Sequence, residues 1–199
     1  RYVFPSGTSI TYRFKSGQGE YTGLPPTTVF SPNFTDRENE FKFDWAPTGR
    51  TTLQARLSVL HRSNEGLAAR NYAGIIGDVN GTYALSAKTS IAAGVTRNLL
   101  SYQTDTDSYF VQDGVYIAPT WKLTEKTAIK FRYQHFLLDF KGPLPGYAPD
   151  YRQDHVNQVS LSVEWQPIRS LKFVGSLLRD IRTSNQLGDD YNSNGASIT

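Results

Sequence analysis

Charged side chains of both signs recur in this chain with alternate spacing. Arg13, Lys42, Asp44, Arg56, Lys130, Arg132, Glu164 and Lys172 each sit between apolar neighbours. Gathered on one surface, such groups would orient an ion or an anionic or neutral glycan through charge-assisted hydrogen bonds. They would equally serve as a paired network that fills a narrow passage. Aromatic rings flank the long polar connections: Tyr21, Phe30, Phe34, Tyr72, Tyr102, Tyr147, Tyr151 and Tyr191. Rings of this kind stack on the apolar faces of sugars, although packing of loops or an interfacial girdle is the commoner use.

Catalytic and metal chemistry find little here. Asp154-His155 is an adjacent acid–base pair, but neighbouring strand residues point to opposite faces and cannot pair their side chains. His61 ends a strand pattern, and His135 shares the parity of apolar residues. With 3 His, none at metal-ligand spacing, and no Cys, zinc and thiol chemistry are not expected. Asp105, Asp107 and Ser108, and separately Asp189, Asp190, Asn192 and Asn194, form oxygen-rich stretches. Both lack the glycine and distal glutamate of a calcium loop and read as hydrated connections. Gly17 and Gly19 precede no helix and make no phosphate cradle. No catalytic residue, metal or cofactor is expected.

The elements that must position the ionic residues are strands. Leu53, Ala55, Leu57 and Val59 alternate with Gln54, Arg56 and Ser58. Ile129, Phe131 and Tyr133 alternate with Lys130, Arg132 and Gln134, and Val159, Leu161, Val163 and Trp165 with Ser160, Ser162 and Glu164. A period of two signals strands. Ten are expected, over 8–15, 37–45, 51–61, 73–83, 89–98, 109–121, 127–138, 154–165, 171–181 and 191–199. Short turns lie at 46–51, 84–89, 122–127 and 166–170, and long Gly-, Pro- and Asn-rich connections at 16–36, 61–72, 99–109, 139–154 and 182–192. Trp45, Tyr83, Trp121 and Trp165 precede the four short turns at intervals of 38, 38 and 44 positions. A fixed period marks one repeated supersecondary unit, and aromatics at one level suit a membrane–water girdle.

Composition narrows the class. The 199 residues suffice for one domain, 38% are apolar, and mean hydropathy is −0.46. No run of 18 apolar residues occurs, which excludes transmembrane helices. A transmembrane barrel remains, because only alternate residues of its strands meet lipid. Net charge is +3 with the basic residues scattered, so no nucleic-acid footprint is read. Alternation alone does not tell a soluble core from a lipid-facing surface. Strand length, unequal connections, the aromatic row and the ionic opposite face all favour the membrane. A Lys or Arg facing lipid at mid-bilayer costs about 2–4 kcal/mol, so Arg56, Lys130 and Arg132 should face inward. Asp113 shares parity with Val111, Val115 and Ile117; a bulge at Gly114, or a place near the rim, would accommodate it.

The stretch Phe43-Asp-Trp-Ala-Pro-Thr-Gly-Arg-Thr-Thr-Leu53 resembles a hairpin of the EpsL-type outer-membrane proteins, the β-barrel porin 2 family linked to exopolysaccharide operons. Tyr2-Val-Phe-Pro-Ser-Gly7, Arg13, Gly19-Glu-Tyr21, Arg70-Asn-Tyr-Ala-Gly74, Tyr109 with Asp113-Gly114, and Pro119-Thr-Trp121 are similar to it too. The resemblance implies an all-β, antiparallel up-and-down transmembrane barrel in the bacterial outer membrane. Its partners would be outer-membrane lipid, polysaccharide and envelope secretion proteins. Its role would be export or assembly of a secreted exopolysaccharide, as pore or anchoring surface, without enzymatic activity. A general diffusion porin and an outer-membrane hydrolase are the alternatives. Family chains are longer and end in a strand with a terminal aromatic, whereas this one ends Ile198-Thr199. The single domain, 1–199, is therefore expected to extend past one or both ends, and its ten strands to close alone or within a larger barrel.

Overall fold

A computed structural model describes residues 1–20, 33–66, 68–101, 109–141 and 151–199. It is all-β, apart from one 3-10 turn at Ala68–Arg70. The strands are β1 (Tyr2–Val3), β2 (Ser9–Glu20), β3 (Asn33–Thr48), β4 (Thr51–Asn64), β5 (Tyr72–Ala84), β6 (Thr89–Ser101), β7 (Tyr109–Lys122), β8 (Thr127–Lys141), β9 (Gln153–Ile168), β10 (Leu171–Ser184) and β11 (Tyr191–Ile198). All eleven lie in one antiparallel sheet in sequence order. Each of β2 to β10 therefore pairs only with the strands before and after it.

Two expectations need correction. The count is eleven, because Tyr2 and Val3 pair with Ile10 and Ser9; two residues are too few to show a period. The sheet is also not closed: among the described residues β11 pairs only with β10, and β2 only with β3 and the short β1. Strands also run further toward the long connections than alternation indicates. β2 and β3 stay in register through Glu20↔Asn33, although the positions sharing the apolar face have become Ser16, Gln18, Arg37 and Thr35. Backbone pairing outlasts the apolar pattern there.

Three of the four short turns share one device. The N–H of Arg50 donates to Thr48 Oγ1 (3.2 Å), that of Lys88 to Ser86 Oγ (3.2 Å) and that of Lys126 to Thr124 Oγ1 (3.1 Å). A hydroxyl accepting the N–H two residues on is a side-chain turn. Its recurrence at 48, 86 and 124 repeats the 38-residue period of the aromatics.

The two faces differ in shelter. Along β4, Ser58 and Leu60 are 1% and 5% exposed while Leu57 and Val59 are 52% and 42% exposed. The same inversion holds over much of the sheet, although Val111 on the apolar face is buried and β11 is exposed on both faces. Ser9, Glu40, Ser58 and Asp154 are fully buried, whereas Ile10, Phe41, Ile75, Val95, Ile117, Leu161 and Leu177 are exposed. The polar face is the more sheltered one, and among the described residues only Leu60, Val111, Phe140 and Val156 are buried apolar side chains.

Candidate functional site

The enclosed face is built by register. Partner residues across a ladder share a face, and Arg13↔Glu40, Lys42↔Arg56, Asp44↔Gln54, Arg56↔Asp78, Lys130↔Ser162 and Arg132↔Ser160 place the predicted ionic residues on one side. Glu164 and Lys172 join them through an ion pair of 3.1 Å.

These residues form several centres rather than one cluster. At one edge Glu40 gathers Lys15 (2.7 Å), Arg13 (3.7 Å) and Lys42 (3.8 Å). Beside it Asp44 accepts from Ser9 Oγ at 3.0 Å. Toward the short turns Glu164 binds both Lys130 (2.7 Å) and Lys172 (3.1 Å).

Between these centres a chain of polar side chains crosses the sheet from β4 to β11. Arg56 Nε donates to Asp78 (2.7 Å), Asn80 Nδ2 to Asp78 (3.0 Å), and Tyr116 Oη to Asn80 Oδ1 (2.9 Å). Arg132 stacks over the Tyr116 ring at 4.0 Å and donates to Gln134 Oε1 at 2.7 Å. Gln134 donates to Gln158 (3.3 Å), Gln158 to Asp180 (2.9 Å), and Tyr191 Oη to Asp180 (3.1 Å). Strand β6 is bridged at Gly94, where a Cβ would meet Tyr116 Cε1 at 2.6 Å. The missing side chain lets the tyrosine lie across β6 to reach β5. Arg132, unlike the other predicted cations, has no carboxylate partner among the described residues; its charge meets a ring face and an amide oxygen.

A denser knot sits at the long-connection end. Asp154 is 0% exposed. It accepts Nε (3.2 Å) and Nη2 (3.1 Å) of Arg152, and is also bound by Arg182 Nη2. Arg152 reaches on to Asp189 at 2.9 Å and lies over the Phe140 ring at 4.4 Å. Farther along the sheet Arg62 grips Asp36 with two bonds of 2.7 Å and covers Phe34.

The apolar face carries the four aromatics that precede the short turns. Trp45, Tyr83, Trp121 and Trp165 are 42%, 48%, 51% and 49% exposed beside the short turns. The same face holds an unexpected polar group. Asp113 pairs with Arg97 at 3.2 Å; its register with Arg97 and Leu137 is unbroken, so the bulge considered at Gly114 is absent. His135 Nδ1 lies 3.0 Å from Asn157 Oδ1 and its ring stacks on His155 at 5.6 Å. His155 and Asp154 thus belong to opposite faces, and no acid–base pair forms.

Alternation identified the ionic positions but not the residues that link them. Asn80, Tyr116, Gln134, Gln158 and Asp180 lie at the same parity, and that parity was the available signal. Of the loop aromatics, Phe34, Tyr72 and Tyr191 belong to strands and Tyr151 is exposed. Tyr21, Phe30, Tyr102 and Tyr147 lie outside the described residues, as do Asp105, Asp107 and Ser108. Asp189 and Asp190 serve Arg152 and the Ser184 N–H. Comparison with protein-family models, curated proteins and solved structures finds no match to this chain.

Proposed function

We propose that this sheet is the membrane-spanning wall of a bacterial outer-membrane β-barrel and that its ionic face lines an aqueous passage for a secreted polysaccharide. The inverted burial supports this reading above all else. In water, exposing so many large apolar side chains while enclosing carboxylates and guanidiniums would forfeit the hydrophobic driving force. In a bilayer the same arrangement is the stable one.

The height of the apolar belt agrees. From the short turns, four successive outward positions are apolar or aromatic: Leu53, Ala55, Leu57 and Val59 in β4; Trp121, Pro119, Ile117 and Val115 in β7; Trp165, Val163, Leu161 and Val159 in β9. The next are His61, Asp113 and Asn157. Eight residues rise about 26 Å along a strand, which a barrel tilt of about 35–45° reduces to about 20 Å, close to the apolar band of outer-membrane barrels. Residence in the bilayer adds a requirement: the N–H and C=O groups along the outer edges of β2 and β11 must find strand partners, because lipid offers none.

The passage is suited to a hydroxyl-rich polymer. Amide, hydroxyl, carboxylate and guanidinium groups alternate along the chain from Arg56 to Tyr191, so donors and acceptors meet a glycan on every strand from β4 to β11 except β6. In planar bilayers the purified protein is expected to conduct, with the current reduced by an added acidic polysaccharide. A conductance indifferent to the polymer would make it a general diffusion pore instead. Brominated lipids are expected to quench Trp45, Trp121 and Trp165 at one common depth near the interface. Widely different depths, or a protein that stays monodisperse without detergent, would overturn the membrane assignment.

A further inference from the structure

The apolar face contains a hollow with a charged end, and the passage has no use for it. Strand β5 contributes Gly77 to this face, and Gly77 is buried. A cavity of about 520 Å³ lies between Leu57, Ile75, Val79, Val95, Val115 and Leu137, with Gly77 in its wall. Its volume lies in the range of roughly 300–1,000 Å³ typical of small-ligand sites. Arg97, Asp113 and His135 line the same cavity.

The charges make the hollow more than a dent. Arg97 gives Nη1 to Asp113 at 3.2 Å and has no other partner among the described residues. A guanidinium carries five N–H donors, so most of its fork is available. Its side chain is 51% exposed and that of Asp113 41%. Two more cations of this face, Arg37 on β3 and Arg179 on β10, are exposed. On the membrane reading, Val79, Val95 and Val115 lie within hydrocarbon, and Arg97 and Asp113 lie one step above them at the border of the belt.

We infer that this hollow holds one glycerophospholipid, with an acyl chain along Val79, Val95 and Val115, which stand in one row a step nearer the short turns than Arg97, and the headgroup phosphate on the guanidinium of Arg97. Bidentate guanidinium–phosphate contact is the strong, geometrically matched form of such recognition. His135, oriented through Nδ1 by Asn157, presents its other ring nitrogen beside the same headgroup. Asp113 holds Arg97 in place and, as an anion itself, limits the attraction.

The inference rests on the membrane reading and is tested separately from it, on folded protein already shown to require detergent. Binding of phosphatidylglycerol is measured by native mass spectrometry, beside a diacylglycerol with the same chains and no phosphate. One tightly held phosphatidylglycerol is expected, with the diacylglycerol bound at least about tenfold more weakly, as loss of one charge-assisted contact implies. Arg97→Ala should weaken the phospholipid by a similar factor, Arg97→Lys by less, and Asp113→Asn should strengthen it. Gly77 is unsuitable for filling the hollow, since a Cβ would strike the Arg56 carbonyl oxygen. Val95→Trp, from the wall, should exclude the lipid and leave the fold intact, as checked by gel mobility before and after heating. Equal binding of the two lipids, or equal affinity in Arg97→Ala and Val95→Trp, would overturn the assignment while leaving the barrel reading standing.

Discussion

Leu177→Arg is expected to destabilise the protein in lipid by about 2–4 kcal/mol, while Ser176→Arg one residue away changes stability by less than about 1 kcal/mol. Leu177 is 60% exposed on the apolar face, so an arginine there would have to leave hydrocarbon by snorkelling or by thinning the bilayer. Ser176 faces the other way. Its hydroxyl lies 3.0 Å from that of Ser162, and an added guanidinium would extend into the enclosed polar face. Urea titration of both variants in lipid vesicles, followed by gel mobility, gives the comparison. A reversed ranking would mean that Leu177 faces a protein core and that the ionic side is the exterior.

Asp154→Ala is expected to cost about 3–5 kcal/mol, the usual loss when one partner of a buried ionic group is removed and the other charge remains. Two guanidiniums converge on this fully buried carboxylate. Without it Arg182 loses this anion, while Arg152 keeps Asp189. The packing of Arg152 on Phe140 ties the knot to β8, so the loss should appear as protease sensitivity between β8 and β9 as well as in the unfolding midpoint. Asp154→Asn, which retains shape and one acceptor, should lose less. An Asp154→Ala protein within about 1 kcal/mol of the parent would show that the knot contributes nothing net, as many ion pairs do.

Much of this was readable before any coordinates. Alternation at Leu53–Val59 and Ile129–Tyr133 located strands, and it put Arg56, Lys130 and Arg132 on one face. The pairing of turn and aromatic at Trp45, Tyr83 and Trp121 gave the hairpin period. Two kinds of information were not local enough to read. The ends of strands toward the long connections depend on backbone pairing that continues after Asn39 and His61 have broken the apolar pattern. The links between polar residues depend on which strands are neighbours and where a glycine leaves room: nothing in the sequence around Tyr116 announces Asn80, 36 positions away. Of the two placements considered for Asp113, the bulge is absent and a position at the border of the apolar belt fits. Its partner Arg97 lies on the adjacent strand, and an ion pair at the border of the apolar belt removes the need for a bulge.

Because the backbone of every strand from β2 to β10 pairs only with its predecessor and successor, no ladder relies on a distant hairpin. A copy of the 38-residue unit could be inserted at a short turn, or one removed, with every other ladder left as it is. Girth would then be an adjustable property of such a wall, set by how many copies the gene carries, and the width of whatever moves along the ionic side could change in evolution by recombination alone, with no redesign of the turns.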